Sequence, residues 1–531
     1  MKTTAKRAIM AIALLLAFSF TVDAQINLKK LGNTVKRSAE QQVEQKIKEK
    51  AARETREALD RGEEKLDQGI SNATTRQANS SNSNSSSNSS NNNAVNQTAI
   101  AKGTQTIYVS ANNGSNRNDG SITAPLKDLQ KAIDVAPEGA LICLAQGNYL
   151  GYLDQGWVKV NKYVQIVGGY ADDFSQRDPV RFKTTMRPGV EQIMTSGNQG
   201  VMDIRVVGKR NGVVLIDGII FDRGQISAYL APIYDNPVAS APEGCETGRI
   251  VVVGESTEGV PTIQPNGMTS AFQLISGEME GNLTIRNCVF LNGYHFGIQM
   301  ACKGGHFDIH NNVFVANRMA ACEVRGGLAQ PNTSKISFHN NTVLFTWCRT
   351  KHMEDMGYGF RYMTGIDADV YNNIVGCSNY GGLDRAYVDA DKSKEAKRVT
   401  SAWNNLFFGN RNGDMVLPSG GGGWTFVLAK NFEDVNQLTK YENNREMNQA
   451  EVNAITNKID APYLKGFIGM TGSQTSNFNP NSSINQFRNA LGMNMQGTET
   501  VRVSMYANRY PFEKVFDLFG AVEGYGAQRD F

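Results

Sequence analysis

One hexapeptide pattern constrains this chain more than anything else in it. Ile285-Arg286-Asn287-Cys288-Val289-Phe290 returns as Ile309-His310-Asn311-Asn312-Val313-Phe314, Phe338-His339-Asn340-Asn341-Thr342-Val343, Val370-Tyr371-Asn372-Asn373-Ile374-Val375 and Ala402-Trp403-Asn404-Asn405-Leu406-Phe407. The first Asn recurs at intervals of 24, 29, 32 and 32 residues. A period of that size, with two-residue alternation on both sides of a polar turn, marks stacked coils and not separate domains. Asn suits the corner because it tolerates a left-handed backbone and can bond to the next coil. The growing interval then means growing loops around an unchanged core.

Between those corners lies a second strand in step: Gly297-Ile298-Gln299-Met300, Ala321-Cys322-Glu323-Val324, Gly359-Phe360-Arg361-Tyr362 and Gly382-Leu383-Asp384-Arg385. If Ile298, Cys322, Phe360 and Leu383 point inward, alternation stacks Gln299, Glu323, Arg361 and Asp384 on the outside. The same reasoning turns Ile285, Ile309, Phe338 and Val370 inward.

The segment Ile107-Tyr108-Val109-Ser110, Asn113-Gly114-Ser115, Asp119-Gly120-Ser121, Ala124-Pro125-Leu126, Leu129-Gln130-Lys131-Ala132-Ile133 and Gly147-Asn148-Tyr149 resembles the opening of pectate-lyase-like proteins. Gly168-Gly169-Tyr170 and Ile216-Asp217-Gly218-Ile219-Ile220-Phe221 look like that superfamily's early coils. The resemblance covers about residues 104–410, more loosely to 525. It implies an all-β fold, a right-handed parallel β-helix, with a helix carrying Leu126, Leu129 and Ile133 as its N-terminal cap. It specifies activity poorly, because the scaffold carries lyases, hydrolases, epimerases, adhesins and proteins without known chemistry. Neither the calcium-binding aspartate cluster of the lyases nor the paired aspartates of polygalacturonases is found.

The expected domain order is a signal peptide over 1–24, a charged amphipathic helix over 25–70, an Asn/Ser-rich disordered linker over 71–103 and the β-helix over 104–531. Lys2, Lys6 and Arg7 followed by the uncharged run Ala8 to Phe20 and the small residues up to Ala24 form the three-part export pattern. This predicts an extracytoplasmic protein, in the periplasm, at the cell surface or secreted. Leu31, Val35, Ala39, Val43 and Ile47 lie on one helical stripe, which either pairs in self-association through residues 28–66 or belongs to a solvated spacer. The run from Asn79 to Asn93 contains only Asn and Ser and cannot bury enough apolar area to order itself. Insertions are expected near 226–279 and 410–470, the latter with a helical stretch around Phe432 to Lys458.

A formal charge of +3 over 531 residues gives no basis for a nucleic-acid partner, and no later run is long and apolar enough for a transmembrane helix. Seven cysteines without a C-x-x-C pair read as small buried residues, with one or two disulfides open. The partner expected is a polysaccharide or another envelope component.

Glu323, Arg361 and Asp384 are the candidate catalytic residues, since a carboxylate pair can protonate a leaving oxygen and activate water while an arginine neutralises an acidic sugar. The two carboxylates, two coils apart, are about 9.6 Å apart at the backbone, near the upper end of the ~6.5 to 9.5 Å that inverting hydrolases use. The same row equally makes an ion-pair ladder. His310, His339, Tyr371, Trp403, Arg325 and Arg385 are candidate substrate-binding residues. His310 and His339 share a repeat position, and stacking is preferred there to a metal site because outward neighbours on a flat sheet diverge. No cofactor is expected. Asp389 and Asp391 begin like a calcium loop, but Lys394 and Thr400 replace its glycine and closing glutamate, which leaves only a lone Ca2+ site open.

Overall fold

The computed structural model describes residues 100 and 102–531, apart from 152–156, 188–200, 223–249, 253–272, 294–295, 327–333, 348–355, 364, 386–399, 419–423, 436–437, 462, 465–499 and 503–509. The expected signal peptide, amphipathic helix and linker, the loops at His352 and Asp389, and Cys245, Cys348 and His295 lie outside the described residues.

The chain is mostly β and winds as a parallel β-helix. Three nine-stranded sheets step through the sequence. Each coil visits them in turn. In one coil Asn282–Arg286 lies in the first sheet, Val289–Leu291 in the third and Phe296–Cys302 in the second, before Gly305–His310 re-enters the first one level on. Pairing between coils is parallel and in register: Ile285 faces Ile309, Ile309 faces Phe338, and Phe338 faces Val370. All four are buried, as the alternation requires. In the interior Phe221 stacks on Phe290 at 5.1 Å and Phe290 on Phe314 at 4.6 Å from coil to coil, and Phe338 stacks on Phe360, from another sheet of its own coil, at 4.1 Å.

The Asn pair at each first corner divides its labour. Asn287, Asn311, Asn340, Asn372 and Asn404 take φ between 52° and 56° and turn the chain. Their successors Asn312, Asn341, Asn373 and Asn405 are fully buried and form a ladder. Asn373, for example, donates from Nδ2 to the Phe338 carbonyl and to Asn405 Oδ1, both at 2.9 Å, and accepts at Oδ1 from the Asn341 backbone N–H at 2.9 Å. Asn444 extends the ladder one level past the sequence repeat.

Helix α1 (Leu129–Val135) buries Leu129, Ala132 and Ile133 in the main core beside the first strand, Thr106–Val109. Leu126 stands before the helix and bridges to Val109. At the other end Ala429, Phe432, Val435 and Leu438 close the same core. Described strands fall inside both ranges expected as insertions. Ile275–Met279 is a coil strand of the second sheet, and Met415–Pro418 and Arg445–Glu446 continue the second and third sheets. Among the described residues of the later segment, helical structure comprises a 3-10 turn at Ala429–Asp434, helix α2 (Gln449–Thr456) and residues 461, 463 and 464.

The third sheet is apolar on both faces. Its outer face, with Val289, Val315, Leu344, Ile374 and Phe408, is covered by Ile455 of α2 and by Tyr510, Val515, Phe516 and Leu518. Residues 510–531 act as a strap. Tyr510 N–H donates to Asn292 Oδ1, Gln528 N–H to Asn311 Oδ1, Gly526 N–H to the Asn372 carbonyl and Tyr525 Oη–H to Asn404 Oδ1. The described cysteines, Cys143, Cys288, Cys302, Cys322 and Cys377, are buried and unpaired with one another. Among the described residues no helix is long and apolar enough to cross a membrane.

Candidate functional site

The second sheet carries the row that the alternation pointed to. Strands Ala320–Gly326, Tyr358–Tyr362 and Gly381–Arg385 place Glu323 beside Arg361 and Arg361 beside Asp384, with Cys322, Phe360 and Leu383 buried on the opposite face. Gly359 lets this strand lie close to its neighbours, since a Cβ there would stand 2.8 Å from the Gly382 carbonyl oxygen. The row is a continuous polar chain. Gln273 Nε2 donates to Gln299 Oε1 at 2.7 Å, Gln299 Nε2 to Glu323 Oε1 at 2.9 Å, and Arg361 Nη1 to Glu323 Oε2 at 3.2 Å. On its other side Arg361 Nε stands 2.8 Å from Asp384 Oδ2, an ion pair whose N–H is not aligned as a hydrogen bond.

The row is far less open than an outward position suggests. The side chain of Asp384 has no exposure, Glu323 has 5% and Arg361 has 16%. Burial pushes the Asp384 carboxyl up to about 7, partly opposed by the Arg361 charge and reinforced by Glu323. The guanidinium fills the space between the carboxylates that a hydrolytic water and a sugar would need.

Arg325 is exposed, in register with Ala301 of the preceding coil. Arg385 differs from the expectation: it pairs in register with Tyr362, which pairs in turn with Val324, so it belongs to the inward row of the strand.

The first sheet carries the other candidates. His310 stacks on His339 at 4.8 Å with ring planes 9° apart, His339 on Tyr371 at 4.5 Å and Tyr371 on Trp403 at 4.4 Å, and Lys440 Nζ lies 3.9 Å from the Trp403 ring centre. These ring faces are spent on one another, which leaves edges and not faces for a sugar to stack on. Below His310 in register is Arg286, bonded through Nε to Asp217 at 2.8 Å. Asp308 joins the two imidazoles, its Oδ1 standing 3.1 Å from His310 Nδ1 and 3.0 Å from His339 Nε2. Burial alone would raise the Asp308 carboxyl; its contacts with His310 and His339 outweigh that and hold it below the usual range.

Among the described residues, Asp308, His310 and His339 are those whose donor atoms come close enough to hold an ion. Imidazole lone pairs lie in the ring plane, and two nearly parallel planes do not meet at one point. The cluster as built is therefore a ring stack in which His339 Nε2 is hydrogen-bonded to Asp308 and His310 Nδ1 only stands near it, and an ion there would require one ring to turn.

An aromatic shelf beside the charged row went unread in the sequence. Arg361 lies over Tyr358 at 5.2 Å, Tyr358 meets Tyr380 at 5.4 Å, and Tyr380 meets Phe426 at 5.5 Å. Its signal was the i, i+2 spacing of Trp424 and Phe426 after the glycine run ending at Gly423.

No protein-family model and no curated protein matches the chain. Among solved structures it is similar to a rhamnogalacturonan lyase (10% identity, TM-score 0.31, covering 74% of this chain and 99% of that one). It is also similar to a polygalacturonase from Erwinia carotovora ssp. carotovora (12% identity, TM-score 0.28, covering 66% and 96%). A complex of XylC with xylose matches more loosely (9% identity, TM-score 0.19, covering 58% and 69%). Scores this low say nothing of activity, and the assignment of a parallel β-helix rests on the strand pairing.

Proposed function

We propose that this chain is an exported β-helix, right-handed as about 98% of parallel crossovers are, that binds a polysaccharide or another envelope component along the outer face of its second sheet without turning it over. The observation that carries the reading is the placement of Arg361 between Glu323 and Asp384. Its charge is committed on both sides, and the deepest carboxyl is out of a ligand's reach. Ion-pair networks of this kind imitate active sites. The export pattern over 1–24 supports delivery outside the cytoplasm, with 25–103 as spacer or tether and the stripe in 28–66 as a means of self-association. The test is to incubate the protein with a polysaccharide panel while following gel retardation, unsaturated-product absorbance and reducing ends. Retardation without product is expected. Product formation that disappears in Glu323→Gln and Arg361→Met at unchanged melting temperature refutes it.

A second reading has its own observation. A carboxyl held at about 7 carries a proton in a large share of molecules at neutral pH, as a general acid must. Asp384 would then donate to a leaving oxygen in a polysaccharide lyase or glycoside hydrolase once the row opens. That enzyme would lose activity as pH rises through about 7, and Asp384→Asn would abolish turnover.

A further inference from the structure

We propose that Trp424 and Phe426 form a stacking platform for an uncharged glycan at the C-terminal end of the second sheet's outer face; this rests on the polysaccharide-binding reading and names its ligand class. The strand Trp424–Val427 pairs antiparallel with Met415–Pro418 and sets Phe426 against Val416, the register partner of Asp384. Phe426 thus stands in line with Glu323, Arg361 and Asp384. Trp424, two residues away, shares its face of the strand, about 6.8 Å along.

Both rings are open, Trp424 at 38% and Phe426 at 39% exposure. Single exposed apolar side chains need no explanation, but two large rings side by side on one strand face make a patch that favours a partner. Phe426 meets Tyr380 at an interplanar angle of 64°, and Tyr380 meets Tyr358 at 77°. These edge contacts brace the shelf while leaving it exposed.

The polar neighbours choose the ligand. A pyranose presents an apolar C–H face to an aromatic ring and keeps its hydroxyls at its edge, where on an open shelf they stay in water. The cation nearest in the charged row, Arg361, is already held by two carboxylates, so the row offers a polyanion no free charge. A neutral glycan has no such need.

The experiment is affinity electrophoresis of the full protein through gels containing a neutral β-glucan, a neutral xylan or polygalacturonate. We expect retardation by a neutral glycan. Trp424→Ala/Phe426→Ala should weaken it about tenfold, the value of two ring contacts, with melting temperature held. Tyr441→Ala, which removes an equally exposed ring elsewhere, should change nothing. Unchanged retardation in the double variant overturns the proposal, as does retardation by polygalacturonate alone. A double variant that elutes as a smaller species than wild type also overturns it, because the shelf then joins two copies of the chain. If the double variant binds normally and Arg361→Met does not, the shelf fails and polysaccharide binding stands. If no gel retards the wild type, both fail.

Discussion

Replacing Asn373 by Ala tests whether the buried Asn ladder holds the coils together or merely accompanies them. The side chain sits at zero exposure in the middle of the ladder. Its loss strips the acceptor from the Asn341 backbone N–H and a donor from the Phe338 carbonyl, and leaves Asn341 Nδ2 with its bond to the Ile309 carbonyl. Asn405 Oδ1 keeps the Asn373 backbone N–H. One buried backbone N–H is thus orphaned, while the Phe338 carbonyl keeps its place in the parallel ladder with the next strand, so the expected loss is about 1 to 3 kcal/mol. Asn340→Gly is the control, since glycine takes the corner's positive φ freely and only the bond between its side chain and His339 Nδ1 is lost, so it should cost about 1 kcal/mol or less. Equilibrium urea unfolding followed by two probes reads both, with coincident transitions showing that the array still melts as one unit. A loss under about 1 kcal/mol for Asn373→Ala, or equal losses at the two positions, would refute the reasoning.

Four further outcomes follow from the packing. Phe338→Ala, which removes a fully buried ring stacked on Phe360, should cost about 3 to 5 kcal/mol in the same denaturant assay, and His339→Ala clearly less. Arg361→Met should lower stability by up to about 3 to 5 kcal/mol because it strands Glu323 beside a buried Asp384; a melting temperature equal to wild type would show that the pairs contribute nothing. Burial raises the carboxyls of Glu446 and Asp414 above their unfolded values, and the neighbouring Asp414 adds to the rise at Glu446, whereas the hydrogen bond with Glu446 partly opposes it at Asp414. Their contribution is therefore full at acid pH and is lost as pH rises through the folded values. Glu446→Gln should flatten the decline in melting temperature toward alkaline pH, and an unchanged slope contradicts the assignment. Deleting residues 510–531 should uncover the outer face of the third sheet and yield protein that binds hydrophobic dyes and aggregates; a monomeric, dye-silent product would show that the strap is dispensable.

The coils were legible because two chemistries repeat with them. The Asn corners recur in sequence, and the alternation around Phe338 and Phe360 assigns their inward faces without ambiguity. The second corner was not legible. There the left-handed residue is Asn292, Ala316, Phe345 or Cys377 at successive levels, and nothing local to an Ala or a Phe announces a positive φ that only the surrounding coils impose. The same limit applies to the candidate site. Register put Glu323, Arg361 and Asp384 in one row, but alternation reports the face of a strand and not what lies above it, so the closure of Asp384 was invisible. Stacking of His310 on His339 followed from their shared position, but its continuation through Tyr371 and Trp403 did not. That stacking would leave no ring face for a ligand required the ring planes themselves.

The strap ties together events that the chain's own chemistry would otherwise separate in time. Neighbouring coils meet over a few tens of residues and can form as soon as they leave a ribosome or a translocation pore. Gln528, by contrast, bonds to Asn311 across 217 residues, and Tyr510 to Asn292 across 218. Most of the coils can thus be wound while an apolar flank still waits for the last residues to arrive. A loop closure of that length slows a folding step, which makes completion of the flank the late event. During that interval the half-finished protein is at its stickiest. Truncated products, stalled chains and C-terminal fusions should therefore share one phenotype, aggregation of an otherwise wound solenoid, even though none of them alters a coil.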